Sequence, residues 1–225
     1  MLSEAKRFGY IHHNPCDSIK SLALNKKSRG ILTIDEVKKL FSGNALEEIW
    51  GGDLLHYTIN MLAATTGLRR GSIMAIREEN YFGNYIHIEH SYGDFGLGPT
   101  KTRDKIDVPV PLKVKNCMDK LLGKGGYIFS KDPVGAFPVP KDDIRYALYA
   151  ALEKIEIKEE ERKERNIVFH SWRHFFNTYC RRLNIPDPKI QKVTGHKTIE
   201  MLDNYTHFEV EDFTEVMKAQ EMLLA

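Results

Sequence analysis

Four residues near the end of the chain combine the types and spacing needed to act on a phosphate ester. Residues 170–207 read HSWRHFFNTYCRRLNIPDPKIQKVTGHKTIEMLDNYTH, with His170 and Arg173 three positions apart, His196 in a Gly-His pair and Tyr205 nine positions beyond it. Side chains three apart share one face of a helix, so an imidazole and a guanidinium there converge on a single anion. A phosphodiester is that anion. Two other readings compete. His170 and His174 are spaced as a metal pair, but Arg173 between them opposes a cation and no carboxylate completes an H-E-x-x-H pattern. Taken singly, each histidine also fits as an ordinary surface or core residue of a helical domain.

The order H-x-x-R, G-H, Tyr resembles the C-terminal half of the tyrosine recombinase (phage integrase) catalytic domain. Upstream, Thr66-Gly67-Leu68-Arg69 resembles that family's T-G-L-R box, and Thr100-Lys101-Thr102 resembles its hairpin lysine. Four separated motifs thus fall in the family's order over roughly residues 31–207. The resemblance implies a mainly α (α+β) fold: a helical integrase-type catalytic domain with a small antiparallel β-sheet. It also implies six catalytic residues, namely Arg69, Lys101, His170, Arg173, His196 and Tyr205. Three positions depart from the family pattern. Ser72 stands where many relatives carry an acid, three residues after the first arginine; Trp172 and Thr194 stand where leucine is usual. The missing acid bears on how the site is held together, whereas the other two changes concern packing.

The chemistry implied is strand cleavage by the Tyr205 phenol. With a reference pKa near 10, about one tyrosine in a thousand is ionised at neutral pH, a handicap of roughly 4 kcal/mol. In the resemblance, Arg69 and Arg173 bind the non-bridging phosphate oxygens, where forked guanidinium donors fit well. His196 adds a hydrogen bond, His170 takes part in proton transfer with Tyr205, and Lys101 protonates the departing 5′ oxygen. A 3′-phosphotyrosine link and a free 5′ hydroxyl result, and rejoining needs no ATP. Cationic side chains take the part that a divalent metal plays elsewhere, so no cofactor and no metal are implied.

The 225 residues are 42% hydrophobic and 28% charged, enough for one or two globular domains with a real core. Cys16, Cys117 and Cys180 are far apart and suggest no disulfide framework, no apolar run reaches the length of a membrane span, and the start lacks a signal-peptide core. The expectation is a cytoplasmic, nucleoid-associated bacterial protein. A formal net charge of +2 does not argue for nucleic acid by itself; its distribution would fit DNA, although a charge run is more often a solvated face. Lys20, Lys26, Lys27 and Arg29 cluster early, Arg69, Arg70, Arg77, Lys101, Arg103 and Lys105 follow, and acid gathers at Glu159, Glu160 and Glu161 and again near the end.

The elements that must position these residues can be read in order. Residues 1–13 read as the end of a helix broken at Asn14-Pro15, and residues 14–30 as a linker; by resemblance, 1–30 are a remnant of an N-terminal core-binding domain with the interdomain linker, and 31–225 are the catalytic domain with a tail helix. Thr33-Ile34-Asp35-Glu36 is a capping box opening a helix with Val37, Leu40 and Phe41 inward. Residues 53–66 form a core helix ended by Gly67, and 71–77 a short helix with Arg69 at its start. Strands are expected at 85–90 and 106–110, with the glycine-bearing stretch 93–98 breaking regular structure between them. Helices are expected at 113–122, 142–155, 171–183, 186–193 and 199–204, the last carrying Tyr205. The charged run 158–165 reads as a solvated connection. Gly123-Lys124-Gly125-Gly126 lacks P-loop spacing and reads as a turn. The apolar spacing of Val210, Phe213, Val216, Met217, Met222 and Leu223 marks a tail helix that docks either on its own domain or on a neighbouring subunit.

The leading expectation is a site-specific recombinase or integrase of a phage or other mobile element. Its partners would be double-stranded DNA, further copies of the chain up to a tetrameric synapse, and accessory DNA-bending proteins, with no membrane involved. Two alternatives stay open: a type IB topoisomerase-like enzyme, which shares the same side-chain logic, and a DNA-binding module without catalysis.

Overall fold

The computed structural model describes residues 1–19, 30–101, 103–195 and 213–224. A short helix, α1 (Leu2–Arg7), buries none of its residues and ends well before Asn14. The helical body then begins with α2 (Ile34–Phe41). Its capping box is complete: the Thr33 amide donates to Glu36 Oε2 at 2.7 Å and the Glu36 amide donates to Thr33 Oγ1 at 3.2 Å. Val37, Leu40 and Phe41 point inward.

After α3 (Ala45–Glu48) comes the central element, α4 (Leu54–Thr66), buried at every position from His56 to Thr66. Such burial forces its polar side chains to find partners inside. Thr65 and Thr66 hydroxyls donate back to Met61 and Leu62 carbonyls, and Asn60 Oδ1 accepts the indole N–H of Trp172 at 3.0 Å. That bond, together with ring contacts to Phe41 at 5.7 Å and Phe175 at 6.3 Å, accounts for the tryptophan at position 172: leucine would leave a cavity and could not satisfy Asn60.

Next come α5 (Arg70–Met74), a 3₁₀ turn at Glu78–Asn80, and four strands: β1 (Tyr85–Ile88), β2 (His90–Gly93), β3 (Gly96–Pro99) and β4 (Ile106–Pro109). β1 pairs antiparallel with β4, Ile86 opposite Val108. The stretch expected to interrupt regular structure is instead a second antiparallel hairpin, β2 with β3, His90 opposite Pro99 and Gly93 opposite Gly96. Its glycines permit the tight turn, Gly96 taking φ +89°.

The remaining helices are α6 (Leu112–Asp119), α7 (Lys141–Lys154), α8 (Glu159–Glu164), α9 (Ser171–Arg182), α10 (Asp187–Thr194) and α11 (Thr214–Leu224). The charged run expected to be a loop is thus the helix α8, held by i,i+4 pairs from Glu159 to Lys163 and from Glu161 to Arg165, both 2.7 Å. The turn at Gly123 to Gly125 offers three backbone N–H groups, as a phosphate loop would, but Glu78 Oε1 accepts all three at 2.7–3.1 Å. α11 packs on its own domain against α2, α4 and α6. Gln220 Nε2 donates to the Pro109 carbonyl at 3.3 Å, and Lys113 Nζ donates to the Leu224 carbonyl at 3.1 Å. No described helix is long and apolar enough to cross a membrane.

Candidate active site

The candidate site is built where α4, α9 and α10 end or begin against one another. Gly67 caps α4 in the left-handed region at φ +65°. A Cβ there would meet Phe176 Cδ1 at 2.8 Å and Thr194 Cγ2 at 3.1 Å, so only glycine lets the three helices close this tightly. The chain then turns through buried Leu68, and Arg69 sits in an extended conformation as the N-cap of α5.

Arg173, on α9, is the side chain that ties this junction together. It is 3% exposed, and its Nη1 donates to the Gly67 carbonyl at 2.9 Å and to the Thr194 carbonyl at 2.6 Å. One guanidinium therefore satisfies the ends of two helices at once. Burial pushes its pKa down to about 9, and the nearby positive charge of Arg69 pushes the same way. Burial also lowers Arg69. A buried guanidinium with a second, partly buried one near enough to feel its charge makes a site that favours an anion.

Arg69, Ser72, Thr100, Asp104, Thr194 and Gly195 line one small cleft beside this pair. Ser72 is buried in its wall. Lys101 is exposed on the loop that borders the cleft, and the Thr100 hydroxyl donates to the Asp104 carbonyl at 3.0 Å, closing that loop on itself. His170 and Arg173 lie one turn apart, as the spacing requires, but at different depths. His170 is exposed at the N-cap of α9, its ring edge-on to His174 with centroids 5.3 Å apart. His196 and Tyr205 lie outside the described residues, as does the helix expected at 199–204. Among the described residues no group of three His, Cys, Asp or Glu side chains could hold a metal ion.

His170 also stands at the edge of a larger cleft of about 810 Å³ that the sequence reading did not single out. Arg70, Lys141 and Arg145 supply its cations, and Tyr92 and Tyr149 its aromatic walls. Lys141 and Arg145 are four apart on α7, the spacing that puts two cations on one helix face, but the wall opposite them comes from the β2–β3 hairpin, which glycine content concealed.

The phage integrase family model matches residues 31–212. The chain belongs to the phage integrase family. Among curated proteins it is similar to a shufflon-specific DNA recombinase of Escherichia coli, 27% identical over 161 residues, 69% of this chain and 35% of that protein. The chain thus spans about a third of the length of that curated relative. Solved structures with the same fold include a lambda integrase dimer bound to a COC′ core site, at 23% identity and a TM-score of 0.58, covering 92% of this chain and 71% of that one. The integrase of transposon Tn1549, in complex with a circular intermediate DNA, matches at 19% identity and a TM-score of 0.65, covering 96% and 74%. The integrase of mycobacterium phage Brujita matches at 16% identity and a TM-score of 0.63, covering 99% and 71%.

Proposed function

We propose that this chain is the catalytic part of a site-specific DNA recombinase that breaks and rejoins strands through a 3′-phosphotyrosine intermediate, in a phage or other mobile element. The observation that carries the reading is buried Arg173, joined to the Gly67 and Thr194 carbonyls and held beside Arg69. Arg173 is buried with Arg69 near enough to lower its pKa, and a phosphodiester matches two such guanidinium forks. Membership of the phage integrase family and structural neighbours solved on DNA support the same substrate.

In the proposed reaction the Tyr205 phenolate oxygen attacks phosphorus, and the bond from phosphorus to the 5′ oxygen breaks. Lys101 gives its proton to that oxygen, while His170 takes part in the transfer of the tyrosine proton. Arg69, Arg173 and His196 hold the non-bridging oxygens as charge builds, each well-placed donor contributing about 3 kcal/mol or more. Reversal with a different 5′ hydroxyl reseals the strand, with no ATP, no cofactor and no metal consumed. Residues 1–30 would serve as the end of a core-binding domain and its linker, and residues 31–225 as the catalytic domain. Double-stranded DNA would be the principal partner, with copies of the chain assembling on it as in the lambda integrase tetramer bound to a Holliday junction.

The test is incubation with nicked duplex DNA in EDTA, followed by denaturing electrophoresis. A protein–DNA adduct in the wild type that Tyr205→Phe abolishes is expected. An adduct that survives Tyr205→Phe removes that residue from its role, and relaxation of supercoils without joining of two sites would favour a topoisomerase.

A further inference from the structure

The cleft at the edge of His170 has a size and lining that the phosphate site does not use. Its volume of about 810 Å³ lies in the range that encloses a small ligand. Three cations, Arg70, Lys141 and Arg145, face it against one carboxylate, Asp94. Arg145 in turn pairs with Asp142 at 3.2 Å, which leaves one positive charge in excess. Lys141 pairs with Asp94, whose carboxyl that hydrogen bond, the Lys141 charge and the Arg70 charge together hold below its usual range. Lys141 and Arg145 keep roughly half of their side-chain surface in water.

Aromatic groups share the lining with these cations. Tyr92 forms one wall, set edge-on to Tyr127 at 5.8 Å, and Tyr149 forms another, its ring backed by Arg162 at 3.7 Å. Phe95, fully exposed at the β2–β3 turn, and Phe137, 69% exposed, adjoin lining residues at the rim. Cations that take phosphates, together with rings that take base faces, are the lining suited to unpaired nucleotides.

We propose that this cleft binds single-stranded DNA, holding nucleotides that leave the duplex next to the cleaved phosphate. The assignment rests on the strand-breaking reading above for its place in the reaction. In it, Arg70, Lys141 and Arg145 hold the phosphates, Tyr92 stacks against a base, and the freed strand stays near the site until it is rejoined.

The experiment measures binding of a fluorescein-labelled hexathymidylate and of a labelled 20-base-pair duplex to the full chain and to two variants, Tyr92→Leu and the double variant Lys141→Ala with Arg145→Ala. Circular dichroism melting establishes that each is folded. The expected result is at least a fivefold loss of affinity for the single strand in both variants, with duplex affinity changed less than twofold. Quenching of 2-aminopurine placed in the oligonucleotide should occur with wild type and be lost with Tyr92→Leu. Single-strand affinity equal to wild type in the folded double variant overturns the proposal. So does an equal loss on single strand and duplex, which would make the cleft a duplex-backbone contact. Adduct formation on nicked DNA is followed in the same samples. Oligonucleotide binding through these residues without any wild-type adduct would remove the recombinase reading and keep the cleft, and the opposite pattern would remove only the cleft.

Discussion

Replacing Arg173 with methionine should leave the fold nearly as stable as before while ending the chemistry. The gap between an ordinary arginine at 12.5 and about 9 corresponds to roughly 5 kcal/mol spent on holding this charge in the fold. Methionine removes that cost and fills most of the space. Against it, the Gly67 and Thr194 carbonyls lose their donor, at about 1–3 kcal/mol each. The two effects nearly cancel, so urea denaturation at pH 7 should show a change smaller than about 3 kcal/mol. The pH dependence gives a further check. A guanidinium disfavoured by folding carries its full penalty below about 9, and the penalty shrinks as pH rises toward 12.5, so wild type should gain roughly 1 kcal/mol on the variant between pH 7 and pH 10. Adduct formation on nicked DNA should fall by at least about a hundredfold, the usual cost of removing a donor from a developing charge. A variant destabilised well beyond 3 kcal/mol, with adduct lost only in proportion to unfolded protein, would make Arg173 a structural strut and refute the argument.

Other changes probe the supports of the site. Gly67→Ala combines a left-handed backbone with contact at 2.8 Å to Phe176, and should cost about 1–3 kcal/mol in urea melts while lowering adduct yield through Arg69. Arg165→Ala removes a forked pair to Glu36 at 2.7 and 2.8 Å, partly open to water, so a loss of about 1–2 kcal/mol at pH 7 is expected. Burial pushes Glu36 up, but bonds from Arg165 and Thr33 outweigh it and hold the carboxyl below its usual 4.5. The difference between wild type and variant should therefore persist above pH 4.5 and fade as pH drops through the lower folded value, which acid titration of the melting temperature can follow. Burial also pushes the Cys180 thiol up to about 12 and raises Cys117, so Ellman's reagent should modify exposed Cys16 in the native protein well before either of them.

Much of the helical body could be read from local chemistry. The Thr33 box, the run of core residues before Gly67 and the aromatic face of α9 each announce themselves within a dozen residues, because caps and packing faces are set by near neighbours. What escaped depends on partners distant in sequence. Glycines at 93, 96 and 98 read as interruptions until β2 and β3 pair across them, and the run at 159–164 reads as solvated until its ion pairs and Arg165 fix it as a helix. The depth of Arg173 was likewise hidden, since its carbonyl partners lie 106 and 21 residues away. Spacing placed His170 and Arg173 on one turn but could not say that one would face water and the other the interior.

The contact between Gly30 and Arg165 has a mechanical meaning. The Gly30 amide donates to the Arg165 carbonyl at 2.8 Å, and a Cβ on Gly30 would overlap that oxygen at 2.0 Å. Arg165 also grips Glu36 and the Ile31 carbonyl. Tension on the polypeptide upstream of residue 30 is therefore delivered first to a rivet five positions before His170, instead of peeling α2 from the core. A load on that upstream segment would thus be felt just before α9 begins.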